Sequence, residues 1–163
     1  MLPRISIYTD GACSPNPGPG GWGAVLLCDG QDPQELAGGE EHTTNNCMEL
    51  RAAIEALSSL SEPYKVEMFT DSKYLKHGII EWLPRWQKSN WQTLAKTAVK
   101  NQDLWKALAS KIQHHDIKWK WLKGHADNKW NERADALARA AVEKISLPLR
   151  DQSGHSYLYC SFI

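Results

Sequence analysis

The sequence predicts a mixed α/β fold: a five-stranded sheet, antiparallel on one side and parallel on the other, with helices on both faces. Three observations carry that expectation. Three strand-like segments come first with no helix between them, which suits an antiparallel start. From residue 44 onward helical and strand-like periodicities alternate, as βαβ crossovers require. Two strand-like segments also end in the same Thr-Asp-small triplet, Thr9-Asp10-Gly11 and Thr70-Asp71-Ser72. Paired strand ends of that kind mark the mouth of such a sheet.

Each element has its own signal. Ile5 and Ile7 alternate with Ser6 and Tyr8 in a first strand that stops at Gly11. A Pro/Gly loop covers residues 14–21. Residues 22–28 read as a second strand and 34–43 as a third, joined by a hairpin turn around Asp29-Gly30. Thr44-Asn45-Asn46 supplies cap-type residues for a helix with the apolar stripe Leu50, Ala53, Ile54, Leu57 and Leu60. Residues 65–70 alternate as a fourth strand. Ser72 is placed to cap a second helix, which runs to about Trp82 and breaks near Pro84 because proline disfavours helix in the residue before it. Residues 84–100 have little apolar periodicity and are expected to protrude as a helix and loop. Asn101 is expected to cap a helix carrying Leu104, Trp105, Leu108 and Ile112. Ile117, Trp119 and Trp121 alternate with lysines as a fifth strand. Residues 131–144 form the last helix, buried through Ala134, Leu137, Ala138, Ala141 and Val142. Residues 1–145 therefore make one domain. The aperiodic tail, 146–163, is expected either to dock on it or to stay disordered.

Composition narrows the class. A chain of 163 residues, 42% hydrophobic and 23% charged, suits one soluble globular domain. No apolar run reaches membrane-spanning length, and no signal-peptide pattern follows Met1, so a cytoplasmic location with no membrane partner is expected; a monomer is expected as well. Cys13, Cys28, Cys47 and Cys160 form no Cys-x-x-Cys pair, which weighs against zinc and favours reduced thiols. Net charge is zero but unevenly spread: residues 29–50 hold six acids and no Lys or Arg, whereas 73–100 hold six bases against Glu81 alone. A one-sided basic surface tracks a polyphosphate even on a neutral protein.

The chemistry lies in four acids. Asp10 and Asp71 end strands, Glu49 sits one residue past the first turn of its helix, and Asp135 opens the last helix. Brought to one crevice, these carboxylates would repel and raise each other's pKa unless a cation neutralised them. Carboxylate and water ligands suit Mg²⁺ or Mn²⁺. Two such ions roughly 3.5–4 Å apart stabilise the attacking and leaving oxygens of an in-line phosphoryl displacement. No phosphate-loop or dinucleotide glycine pattern follows a strand, so the ligand expected is a phosphate polymer across an open cleft.

The motifs Tyr-Thr-Asp-Gly-Ala-Cys, Asn-Pro-Gly-Pro-Gly-Gly, Thr-Thr-Asn-Asn-x-Met-Glu-Leu, Thr-Asp-Ser, Lys-Gly-His and Asn-Glu-Arg-Ala-Asp-x-Leu-Ala stand here in this order. In order and spacing they resemble bacterial type 1 ribonuclease H (ribonuclease HI), over roughly residues 1–145. The resemblance implies a ribonuclease H-like fold. It also implies an endonuclease that cuts the RNA strand of an RNA/DNA hybrid, leaving 5′-phosphate and 3′-hydroxyl ends. It makes Asp10, Glu49, Asp71 and Asp135 the catalytic metal-binding acids, with His125 assisting proton transfer or product release. Cys13, Asn16, Asn45 and Asn46 fall where the family contacts the minor groove and 2′-hydroxyls. Thr44 and Asn101 fall where it holds a DNA phosphate, and Tyr74, Trp82 and Trp86 where aromatics line the DNA channel.

Departures from the pattern matter too. His42 stands where an Arg is frequent, Lys73 replaces an uncharged polar residue, and the protrusion carries only Arg85, Lys88, Lys96 and Lys100. Weaker, less salt-sensitive substrate binding is expected from so few bases. Three rivals fare worse. A catalytically silent binding module would not need all four acids. A sugar-kinase-like or actin-like ATPase would need a second domain. An integrase or junction resolvase would lack the Asn-Asn-x-Met-Glu motif and the Trp-rich protrusion.

Overall fold

A computed structural model of the chain describes residues 1–93, 95–123, 128–146, 148–150 and 156–158. Strands β1 (Arg4–Cys13), β2 (Gly18–Leu27) and β3 (Gln34–Thr43) form the antiparallel part, with hairpin-like connections between successive strands. Helix α1 (Asn45–Ser58) then crosses to β4 (Lys65–Thr70), which pairs parallel to β1. Strand β5 (Asp116–Trp121) pairs parallel to β4, giving the sheet order β3-β2-β1-β4-β5. The predicted mixed sheet is therefore present, with β1 central.

Period-two alternation decides what each face buries. On one face Ile5, Ile7, Ala24, Leu26, Val66 and Met68 pack against Leu50, Ile54 and Leu57 of α1, and against Trp105 and Leu108 of α4 (Gln102–Ile112). On the other, Tyr8 and Val25 meet Ala134 and Leu137 of α5 (Lys129–Ser146), with Tyr8 stacked on Phe69 at 4.4 Å. Each large apolar side chain fully buried this way contributes roughly 1.5–3 kcal/mol. Gly21 and Gly23 leave room for the α5 backbone, where a Cβ would run into Ala138 and Ala134.

The structure corrects several boundaries. β1 does not stop at Gly11 but runs on to Cys13, and β2 starts at Gly18, so the Pro/Gly loop shrinks to residues 14–17. Asp10 is thus inside β1. Its parallel partner stops earlier, since pairing with β4 ends at Tyr8↔Phe69. The second helix does not break at Pro84. Helix α2 (Lys73–His77) passes into a wide π-turn (Gly78–Trp82) and then into α3 (Leu83–Lys88). Leu83 stays helical at φ −60°, ψ −47°, and its N–H reaches back to Gly78 O. Pro84 is the second residue of α3, directly after the π-turn, so the change of helical register falls where its ring and missing N–H would interrupt a regular α-helix. Gly78 fits this turn because a Cβ there would enter the Trp105 ring. Asp135 does not open its helix: α5 starts at Lys129, capped by Asn128 Oδ1, which accepts from the N–H groups of Trp130 and Asn131 at 3.1 Å each. The last helix also reaches Ser146, and beyond it β6 (Pro148–Arg150) pairs antiparallel with β7 (Ser156–Leu158).

Candidate active site

Strand β1 carries Asp10 to the centre of the sheet mouth, and the end of β4 places Asp71 beside it. Helix α1 begins at the same mouth because Thr44 caps it, its hydroxyl accepting from Cys47 N–H at 3.2 Å. That start puts Glu49 in the second turn, directed back at β1. Carboxylate oxygens of Asp10, Glu49 and Asp71 lie within 4.8 Å of one another. Asp10 and Glu49 are each only 4% exposed. Asp135 comes from α5, interacts with Asp10, and pairs with Arg139 one turn on at 2.9 Å. All four acids line one cleft.

The electrostatics are those of a site awaiting positive charge. Burial, followed by the Asp71 and Asp135 charges, pushes the Asp10 carboxyl up to about 7. Burial and then the Asp10 and Asp71 charges hold Glu49 well above the ordinary carboxylate range. Asp10 Oδ1 accepts from Gly11 N–H at 2.9 Å, whereas Glu49 Oε2 is buried without a hydrogen-bond partner among the described residues. Three acids meeting in a buried cleft, one of them with an unpartnered oxygen among the described residues, are a ligand set for a hard divalent cation.

Of the expected substrate residues, Cys13, Asn45, Asn46 and Tyr74 line the cleft, while Asn16 and Asn101 are hydrogen-bonded to residues that do. Asn16 Oδ1 accepts from Asn45 N–H at 3.2 Å, tying loop 14–17 to the start of α1. The half-buried Cys13 thiol lies 3.3 Å from Pro15 O, and burial pushes its pKa up. Asn101 occupies the N-cap position of α4, but its side chain does not cap. It donates through Nδ2 to the Tyr74 hydroxyl at 3.1 Å and accepts at Oδ1 from Cys47 Sγ at 3.4 Å. Trp82 and Trp86 are half-buried and pack on the core beside Tyr74, Trp91 and Trp105. His125 lies outside the described residues.

Four contributors escaped the sequence reading. Gly11 lets α1 approach β1, and Arg139 balances Asp135. The i,i+4 spacing of that pair was readable. Cys47 and Trp105 enter through hydrogen bonds between distant segments, for which no local pattern exists.

The RNase H family model matches residues 3–143. A protein of Phenylobacterium zucineum (strain HLK1) named Ribonuclease H is 56% identical over 145 residues, covering 88% of this chain and 94% of that one. Among solved structures, LC9-RNase H1, described as a type 1 RNase H with the type 2 active-site motif, aligns with a TM-score of 0.79 at 28% identity, over 98% of this chain and 79% of its own. LC11-RNase H1, solved in complex with RNA/DNA hybrid, aligns with a TM-score of 0.62 at 22% identity, over 86% of this chain and 97% of its own. At that identity the second likeness speaks for the fold alone.

Proposed function

The chain belongs to the RNase H family and is an endoribonuclease of that type, and from that premise we propose that it hydrolyses the RNA strand of RNA/DNA hybrids to 5′-phosphate and 3′-hydroxyl ends. The proposal includes action as a monomer in the cytoplasm. Among the described residues no helix is long and apolar enough to cross a membrane. What supports the reaction most is the meeting of Asp10, Glu49 and Asp71 within 4.8 Å, with Glu49 Oε2 unpartnered among the described residues.

The donor set is all oxygen, largely buried and open to a cleft, which fits Mg²⁺ with Mn²⁺ as a substitute. Two such ions, held by Asp10, Glu49, Asp71 and Asp135, would supply the charge that stabilises the attacking and leaving oxygens of an in-line displacement. The protein's part is placement. Gly11 N–H fixes the Asp10 carboxylate, and the α1 cap fixes Glu49. Arg139 damps the charge of Asp135. His125, in this reading, moves a proton or speeds product release.

Strand choice falls to the neighbours. Asn16 uses Oδ1 on the protein, so its Nδ2 remains to donate to a 2′-hydroxyl, with Cys13, Asn45 and Asn46 beside it. Thr44 accepts from Cys47 N–H, so its own proton is free to donate to a DNA phosphate, together with Asn101. Tyr74, Trp82 and Trp86 border the path of the DNA strand.

Cleavage of labelled RNA/DNA hybrid, RNA duplex and DNA duplex, each with Mg²⁺ or with chelator, tests the proposal. Hybrid-only, metal-dependent cutting is the expected result. Equal cutting of RNA duplex, or cutting in chelator, contradicts it.

A further inference from the structure

Asp135 stands apart from the other three acids in two respects. Asp10, Glu49 and Asp71 bring carboxylate oxygens within 4.8 Å of one another, and Asp135 is outside that group although it reaches Asp10. It also meets a cation: Arg139 Nη2 lies 2.9 Å from Asp135 Oδ2, one turn on along α5. Among the described residues no Lys or Arg pairs with Asp10 or Glu49.

The two sides of the acid site are therefore unlike. Around Glu49 three carboxylates converge, with Glu49 Oε2 unpartnered among the described residues. At Asp135 a guanidinium already occupies one carboxylate oxygen. Arginine keeps its charge at every working pH, so it yields Asp135 by moving and never by losing a proton. Movement is easy here. The Arg139 side chain is 66% exposed against 23% for Asp135, and an exposed i,i+4 pair is held by only about a factor of two. Arg139 also lines the same cleft as all four acids. A phosphate entering that cleft meets planar donors that match its oxygens two at a time.

We infer that Arg139 is a positioning residue that competes with a cation for Asp135, and that a phosphate of the RNA strand draws it off. The inference rests on the hybrid-cleaving function above, which puts an RNA phosphate beside these acids. With the cleft empty, the guanidinium stays on Asp135 and repels a second divalent charge. With a phosphate present, Arg139 turns to it and releases Asp135 Oδ2. Hybrid binding and cation binding at Asp135 then favour each other, and such coupling is reciprocal.

Mn²⁺ titration of the substrate-free protein, read by calorimetry, tests this without any cleavage. Arg139→Gln keeps a long polar side chain and removes the charge. A second, weaker Mn²⁺ step is expected to appear or to tighten roughly fivefold, with the first step within about twofold of wild type. Arg139→Lys retains the charge and is expected to stay near wild type. The pair is exposed, so neither substitution threatens the fold. Steady-state cleavage in Mg²⁺ supplies the contrast. At saturating hybrid the phosphate already holds Arg139 in wild type, so Arg139→Gln is expected to keep the half-maximal Mg²⁺ concentration within about twofold while KM for hybrid rises roughly threefold. Three results would each overturn the inference. One is a second Mn²⁺ step that is absent or unchanged in Arg139→Gln. Another is Arg139→Lys behaving like Arg139→Gln. The third is a half-maximal Mg²⁺ concentration that falls at saturating hybrid as much as Mn²⁺ affinity rises without it. Wild-type protein that binds Mn²⁺ yet leaves hybrid uncut overturns the functional reading instead.

Discussion

Gly11 and Glu49 are in backbone contact: a Cβ on Gly11 would lie 2.5 Å from the Glu49 amide nitrogen and 2.6 Å from the Met48 carbonyl carbon. The missing side chain after Asp10 is what allows helix α1 to rest on β1. That approach brings the Glu49 carboxylate to Asp10.

Gly11→Ala follows directly from this contact. The added methyl meets rigid backbone rather than a flexible side chain, so α1 must shift. Overpacking of this kind costs about 1–3 kcal/mol. Denaturant unfolding is expected to show that loss, and cleavage at saturating substrate to fall at least tenfold through displacement of Glu49. Retained stability and rate would mean that the contact is not limiting.

The raised carboxyls make the metal-free protein pH-sensitive. Asp10 titrates near 7 when folded against 3.8 when unfolded, and Glu49 is raised as well. Between those values the folded state binds more protons than the unfolded state, so stability falls as pH rises. In chelator, the melting temperature is expected to drop from pH 4 to 7 on this account and to be restored at pH 8 by Mg²⁺. Asp10→Asn removes a buried charge and is expected to stabilise the metal-free fold at pH 8 by on the order of 2 kcal/mol. A metal-free melting temperature that rises across this window in wild type relative to Asp10→Asn would contradict the assignment.

Salt dependence tests the electrostatic grip. Arg85, Lys88, Lys96 and Lys100 are all exposed, and Lys73 lines the cleft. Each phosphate neutralised adds about 0.9 to the slope of log affinity against log salt, so a slope of about 3 to 5 is expected. A slope above about 6 would show that further bases engage the substrate.

The succession of elements and the mixed sheet were legible because periodicity and the Thr-Asp-small triplets report burial and sheet mouth directly. Asp10 and Asp71 were placed by those triplets, and Glu49, which meets them within 4.8 Å, by the cap residues ahead of its helix. What was not legible depends on partners distant in sequence. Pro84 sits in a helical path because a π-turn fitted around Trp105 resets the helix ahead of it. Asn101 looks like a cap and holds a cap position, yet its amide is taken by Tyr74 and Cys47 from two other helices. Trp82 and Trp86, at i,i+4, show both apolar packing and residual exposure, so spacing alone did not separate core from channel.

The claim that everything else depends on is that the buried acids carry out cleavage once a cation is bound. Single-turnover cleavage of RNA/DNA hybrid by Asp10→Asn, with hybrid affinity measured alongside, tests it most directly. The account predicts a loss of about a thousandfold or more in rate with affinity within about threefold of wild type, because this substitution removes a charge and keeps the shape. A variant that cuts hybrid at the wild-type rate in Mg²⁺ would contradict it.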